Sequence, residues 1–219
     1  MKEYHKIEGL YEREPETKRL LPGVYRNPVV AYTAGLEWEF TEKIDGTNIR
    51  VIWDGYRVSF AGRTDNAIIP KHLLEHLEKT FGGEANEQVF EQHFGEKQVI
   101  LYGEGYGPKI QNGGNYRPDV SFILFDVAID DTWLARSSVE EIAGYFGIDV
   151  VPIVLRGTIK DAEEFVRSRP KSNFGTADME GVVGRPKYDL MARDGKRVIV
   201  KVKVRDYDEI DRYGAKMVD

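Results

Sequence analysis

At 219 residues, with 41% apolar and 31% charged side chains, the chain is long enough to bury a real core and reads as one large domain or one domain with a small appendage. The absence of cysteine excludes disulfides and thiolate metal sites, and no apolar run approaches the roughly 18 residues of a membrane span. A formal net charge of -6 argues against a surface coated in nucleic acid, yet leaves room for one local basic groove. The N-terminal run MKEYHKIEGLYERE is charged throughout and lacks a signal-peptide core, so the cytoplasm of a cell or of a phage-infected host is the expected location.

Taken in chain order, residues 18–27 read as a loop, and 36–40 as a short strand. Residues 48–53 and 56–60 flank Asp54-Gly55, which predicts a hairpin closed by a type I′ turn. Over 70–81 the apolar residues Leu73, Leu74 and Leu77 recur at helical spacing, and Gly82-Gly83 stops the pattern. A second short helix is expected over 87–94. Residues 98–102 and 121–129 read as buried strands. A helix over 137–146 has Ser137 and Glu140 at capping-box spacing. A strand at 150–155 and a short helix at 161–168 follow. Two more strands lie at 180–184 and 197–204, with the turn residues Asp194-Gly195 before the second. Strands in hairpins with helices between the groups make an α+β pattern, mostly antiparallel.

Four polar features stand out against this background. Lys43 sits between an apparent strand and Asp45-Gly46, where a glycine allows a tight turn or a ligand's close approach. A lysine there can be a nucleophile if neighbouring cations or desolvation lower its pKa; an ordinary surface turn is the alternative. Lys201 and Lys203 alternate with valines in Val198–Val204, so both point to one face and suit a shared anion such as phosphate; a solvated sheet face is the bland reading. Glu104, Asp126 and Glu180 adjoin apolar strands and need a cationic or metal partner unless they end in solvent. Arg63, after the first hairpin, is a candidate phosphate clamp or a surface arginine. His5, His72, His76 and His93 form no metal-ligand pattern.

The order of these signals resembles the covalent nucleotidyltransferases: DNA ligases, RNA ligases and mRNA-capping guanylyltransferases. Lys43-Ile44-Asp45-Gly46 matches the nucleophile motif, Arg63 the next arginine, and Leu101-Tyr102-Gly103-Glu104 the strand ending in a ribose-side glutamate. Phe122-Ile123-Leu124-Phe125-Asp126, Glu180-Gly181-Val182-Val183 and Lys201-Val202-Lys203 match the remaining three. The similarity covers residues 36–206. Gly46-Thr47-Asn48 and Gly62-Arg63-Thr64 look most like the RNA-ligase branch of phage nick-sealing and kinetoplastid editing enzymes.

The resemblance implies an adenylation-type nucleotidyltransferase fold over 1–219. It assigns catalysis to Lys43, Lys201 and Lys203, with the last two lowering the pKa of the first. Nucleotide contacts fall to Glu42, Ile44, Asn48, Arg63, Glu104, Phe122, Glu180 and the two late lysines, with Glu42 near adenine, Phe122 stacked on it and Glu180 also holding metal. It further implies ATP, Mg²⁺ or Mn²⁺, and a nucleic-acid partner with 5′-phosphate and 3′-hydroxyl ends, RNA favoured. A DNA-ligase core, a capping core and a nucleotide- or RNA-end-binding module without turnover are the alternatives. Only 16 residues follow Lys203, so neither an OB-fold nor a helical C-terminal domain is expected, which leaves room for a partner subunit.

Overall fold

The computed structural model describes residues 3–215. It opens with β1 (Glu8–Gly9), β2 (Tyr11–Arg13), β3 (Leu20–Tyr25) and helix α1 (Pro28–Thr33), which Asn27 caps by accepting from the Val29 amide. β3 lies where a loop is predicted. Pro22 and Gly23 interrupt the alternation that marks a strand, but pairing with β2 holds it extended. Next come β4 (Trp38–Glu42), β5 (Thr47–Trp53), β6 (Val58–Gly62), α2 (Lys71–Phe81) and α3 (Glu84–Phe94). The hairpin at Asp54-Gly55 forms, but through a four-residue loop, because Trp53 pairs with Val58. Asp54 Oδ1 accepts from the amides of Tyr56 and Arg57, which replaces the expected type I′ turn.

The chain continues through β7 (Val99–Tyr106), β8 (Ser121–Ile129), β9 (Thr132–Trp133) and α4 (Arg136–Phe146). Ser137 lies inside α4, and the N-cap is Ala135 with no side-chain bond, so the capping box is absent there. The box that does form is at α5 (Ile159–Arg167), between Thr158 and Asp161. The strand predicted at 150–155 is divided into β10 (Asp149–Val150) and β11 (Ile153–Gly157), which join different sheets. β12 (Gly181–Pro186), β13 (Val200–Lys203) and α6 (Val204–Ala215) complete the described chain. No described helix is long and apolar enough to cross a membrane.

Packing resolves the chain into two compact units, each with its own core. Unit 1 holds residues 3–5 and Ile44–Val151. Its sheet runs β10-β8-β7-β5-β6, with β9 paired to β8, and all pairings are antiparallel except β10 with β8. Ile49, Val51, Val99, Leu101, Phe122 and Leu124 pack on one side against Leu73, Leu77 and Phe81 of α2, Phe90 of α3 and Val139 of α4. Gly105 allows this closeness: a Cβ there would stand 2.4 Å from Leu73. Unit 2 holds Lys6–Lys43 and 152–215. Its sheet is β1-β13-β12-β4-β11, antiparallel save for β1 with β13. Trp38, Phe40, Val182, Val200 and Val202 form its core with Ile159, Ala162 and Val166 of α5 and Tyr207 of α6.

Candidate active site

Five of the residues singled out by sequence lie in unit 2, and four of them meet. β12 runs between β13 and β4, so Lys203 pairs with Gly181 on one side and the Lys43 amide donates to the Gly181 carbonyl at 3.0 Å on the other. Gly181 has to be glycine: a Cβ would lie 2.1 Å from the Val202 carbonyl oxygen. Glu180, one residue before β12, accepts from Lys43 Nζ on Oε2 at 2.5 Å and from Lys203 Nζ on Oε1 at 2.6 Å. One carboxylate thus bridges two ammoniums, with its side chain 17% exposed. Burial alone would raise the Glu180 carboxyl, but Lys43 and Lys203 outweigh it and hold the group below the usual carboxylate range.

Lys201 lies two residues before Lys203 on the same face, opposite Val183 of β12 and Gly9 of β1. Among the described residues it has no ion-pair partner. Burial, and then the charges of Lys203 and Lys43, push its ammonium from the ordinary 10.5 down to about 8. The arrangement is three cations around one carboxylate, which is a receptor for a second anion.

One of the expected roles needs correcting here. Glu42 is 1% exposed, and its carboxylate is already engaged: Oε1 accepts from Ser172 Oγ at 2.5 Å, and Oε2 from the Asn173 amide and Asn173 Nδ2 at 3.0 and 2.9 Å. It anchors the segment between α5 and β12 rather than presenting itself to a base. Glu180, the expected metal ligand, holds one ammonium on each oxygen. Among the described residues no three His, Asp or Glu side chains gather as a metal site.

Unit 1 holds the others. Asn48 on β5 and Glu104 on β7 are direct cross-strand partners, so their side chains share a face. Asn48 Oδ1 is buried without a hydrogen-bond partner, an acceptor awaiting a donor. Gly46 lets the turn before β5 close onto β7; a Cβ would stand 2.3 Å from the Gly105 carbonyl oxygen and 2.9 Å from Glu104 Cγ. Asp45 accepts from Asn112 Nδ2 at 2.6 Å. Ile44 is buried. Arg63 is exposed just past β6.

Phe122 is a further correction. It pairs with Gly105, one position along from the Glu104 row, and so faces away from Asn48 and Glu104. Its ring, 2% exposed, meets Phe81 edge-on at 5.4 Å in the core and has no face to offer adenine.

Sequence reasoning missed Arg50. It is fully buried in β5, donating from Nε to the Gly62 carbonyl at 2.8 Å and from Nη2 to Asp65 Oδ1 at 2.6 Å. These two bonds bracket Arg63. A charge in the middle of the apolar run Ile49–Trp53 was the available signal. The partners of Glu42, by contrast, lie about 130 residues away and leave no local trace.

Comparison with known proteins bears on the fold and the family. Three solved structures of the Naegleria gruberi RNA ligase are similar to the chain. A mutant with ATP and manganese superposes with a TM-score of 0.65 at 19% identity, over 97% of this chain and 58% of that one. The enzyme with pyrophosphate gives 0.61 at 20% identity, over 94% and 61%. A mutant with AMP and manganese gives 0.61 at 19% identity, over 82% and 53%. The chain therefore spans a little over half the length of those ligases, and at such identity the likeness is one of fold. A model of the RNA ligase family matches residues 36–203, well over half of the sequence. By that match, the chain belongs to the RNA ligase family.

Proposed function

We propose that this chain is the adenylation core of an ATP-dependent RNA ligase, with Lys43 as the residue that carries AMP. The observation that supports this best is the convergence of Lys43 and Lys203 on Glu180 with Lys201 beside them. The Lys43 Nζ lone pair forms a bond to the α-phosphorus of ATP. The bond from that phosphorus to the bridging oxygen breaks, and its electron pair leaves on pyrophosphate. Lys43 gives up a proton on the way, and Glu180, hydrogen-bonded to Nζ, holds that nitrogen in place. Lys201 and Lys203 stabilise the charge that builds on the phosphoryl oxygens. The AMP then passes to a 5′-phosphate end, and a 3′-hydroxyl attacks that end and expels AMP.

ATP is the nucleotide favoured by the sequence resemblance and by the Naegleria enzyme, one mutant of which was solved with ATP and manganese. A divalent cation, Mg²⁺ or Mn²⁺, would arrive on the nucleotide's phosphates, since the protein builds no cage for it among the described residues. The unpartnered Asn48 Oδ1 beside Glu104 supports a nucleotide-facing role for that side of unit 1. The test is intact-mass spectrometry after incubation with ATP and a divalent cation. Wild type should gain one AMP and Lys43→Ala none. Nucleotide binding with no adduct on wild type would instead mark a binding module. Nicked RNA set against nicked DNA, with and without pre-adenylated ends, then separates the joining reactions.

A further inference from the structure

Arg50 stands where a charge is costly. It lies in the middle of β5 with none of its side chain exposed. Nε donates to the Gly62 carbonyl at 2.8 Å and Nη2 to Asp65 Oδ1 at 2.6 Å, while Nη1 is buried with no hydrogen-bond partner. The Asp65 side chain is 62% exposed, so only one member of the ion pair has left water. A buried cation with an unmet nitrogen and a solvated partner is a poor source of stability, and an apolar side chain of similar size would fill the position at lower cost. The pair therefore calls for a role other than holding the fold.

Both bonds close on one short segment. Gly62 ends β6, and Asp65 follows three residues on. Gly62 has to lack a side chain, because a Cβ there would lie 2.6 Å from the Ala67 Cβ, and the Ala67 amide donates to the Thr64 carbonyl at 3.2 Å. Residues 62–67 thus fold back on their own strand end, and Arg50 pins the turn at two points. Arg50 holds the Asp65 carboxyl below the usual carboxylate range, first by its hydrogen bond and then by its charge, so the pin is charged at both ends at neutral pH. Arg63 lies between the two pinned points. It is exposed, and among the described residues it has no ion-pair partner.

A guanidinium grips an oxyanion as a planar fork, so its reach and angle decide whether the grip forms. Fixing the backbone that carries it removes part of the ordering cost before the anion arrives. We propose that Arg50 is a positioning residue: its bonds to Gly62 and Asp65 hold the backbone of Arg63 in the geometry in which that side chain meets a phosphate of the substrate. The proposal rests on the adenylation reading of Lys43, which makes that phosphate one of the nucleotide or one of the RNA end it activates.

The test is a double-mutant cycle between Asp65→Ala and Arg63→Ala, read in AMP adduct formation from ATP and, separately, in the joining of pre-adenylated RNA ends. A loss in the first assay places the phosphate on the nucleotide, and a loss in the second places it on the RNA. In the step that Arg63→Ala slows, Asp65→Ala should lower kcat/KM at least about fivefold in wild type, and less than about twofold where Arg63→Ala is already present. Arg50→Met should show the same dependence on Arg63, with a melting temperature no lower than that of Asp65→Ala, which leaves the cation buried and unpaired. Should Asp65→Ala fail to fold, Asp65→Asn, which keeps an acceptor oxygen for Nη2, takes its place in the cycle. Equal losses from Asp65→Ala in the two backgrounds would mean a brace for the fold alone and overturn the proposal, as would unchanged kinetics of Arg63→Ala in both steps. If wild type joins pre-adenylated RNA but gains no AMP, the adenylation reading falls and the cycle still decides on Arg50. A wild-type chain that does neither loses both.

Discussion

At Lys201, burial and like charge act in the same direction, and the ammonium drops to about 8 from an ordinary 10.5. The folded state therefore holds this proton less tightly than the unfolded chain does. Below about pH 8 the folded state bears the full penalty of a crowded cation. Between about 8 and 10.5 only the unfolded state still carries the proton, so the Lys201 contribution to stability rises with pH across that window. Urea unfolding at several pH values should show this rise in wild type, and Lys201→Met should flatten it. A Lys201→Met profile that climbs as steeply as wild type would mean another group titrates there. Side-chain alternation already put Lys201 and Lys203 on one face. Sequence did not show that Glu180 bridges Lys43 and Lys203, because that depends on Gly181 bringing two strands together across it. Desolvation of Lys201 is likewise a property of packing and leaves no mark on residue order.

Among the elements, β8 separates what pattern can and cannot say. Its apolar run predicts a buried strand, and it is one. The face each aromatic takes depends on pairing with β7, where the register shifts between Tyr102 and Gly103. That slip cannot be read from an aromatic motif, and it accounts for Phe122 lying in the core. Phe122→Leu should lower the unfolding free energy by about 1 to 1.5 kcal/mol without changing the KM for ATP in adduct formation. Gly103→Ala, whose Cβ would stand 2.2 Å from the Phe122 ring, should cost about 1–3 kcal/mol by overpacking. A stable Phe122→Leu protein with a raised KM would restore the stacking role. Helices α2 and α5 were legible because their apolar faces recur regularly. α6 escaped notice because Lys203 ends a strand and Val204 begins a helix with no loop to announce it.

Over the whole molecule, the chain leaves unit 2 after Lys43 and re-enters it at Pro152, so unit 1 is nearly continuous in sequence and unit 2 is assembled from two separated stretches. Residues 44–151 carry a complete sheet and three helices, so this fragment should unfold cooperatively by itself in urea, followed by circular dichroism; a broad, non-cooperative transition would count against an independent core. The N-terminal contribution to this unit is small but specific. Tyr4 donates to Asp126 Oδ2 at 2.8 Å, where the carboxylate is fully buried, and its ring packs 5.1 Å from Tyr102. Tyr4→Phe in the full chain should therefore cost about 1–3 kcal/mol in chemical denaturation. Long-range assembly of this kind, with strand β1 pairing to β13 from the far end of the sequence, is the part of the architecture that local pattern reads least well.

The Glu180 bridge also sets a threshold for what can enter the lysine cluster. A carboxylate fixed to the backbone competes with every dissolved anion as a tethered ligand, at an effective concentration that free ions must exceed. Chloride brings a single charge and no fork of oxygens, so it cannot replace two short contacts at once. A phosphate chain brings several of both. On the adenylation reading, the resting cluster resists ordinary salt through its own counter-ion and yields to a phosphate chain.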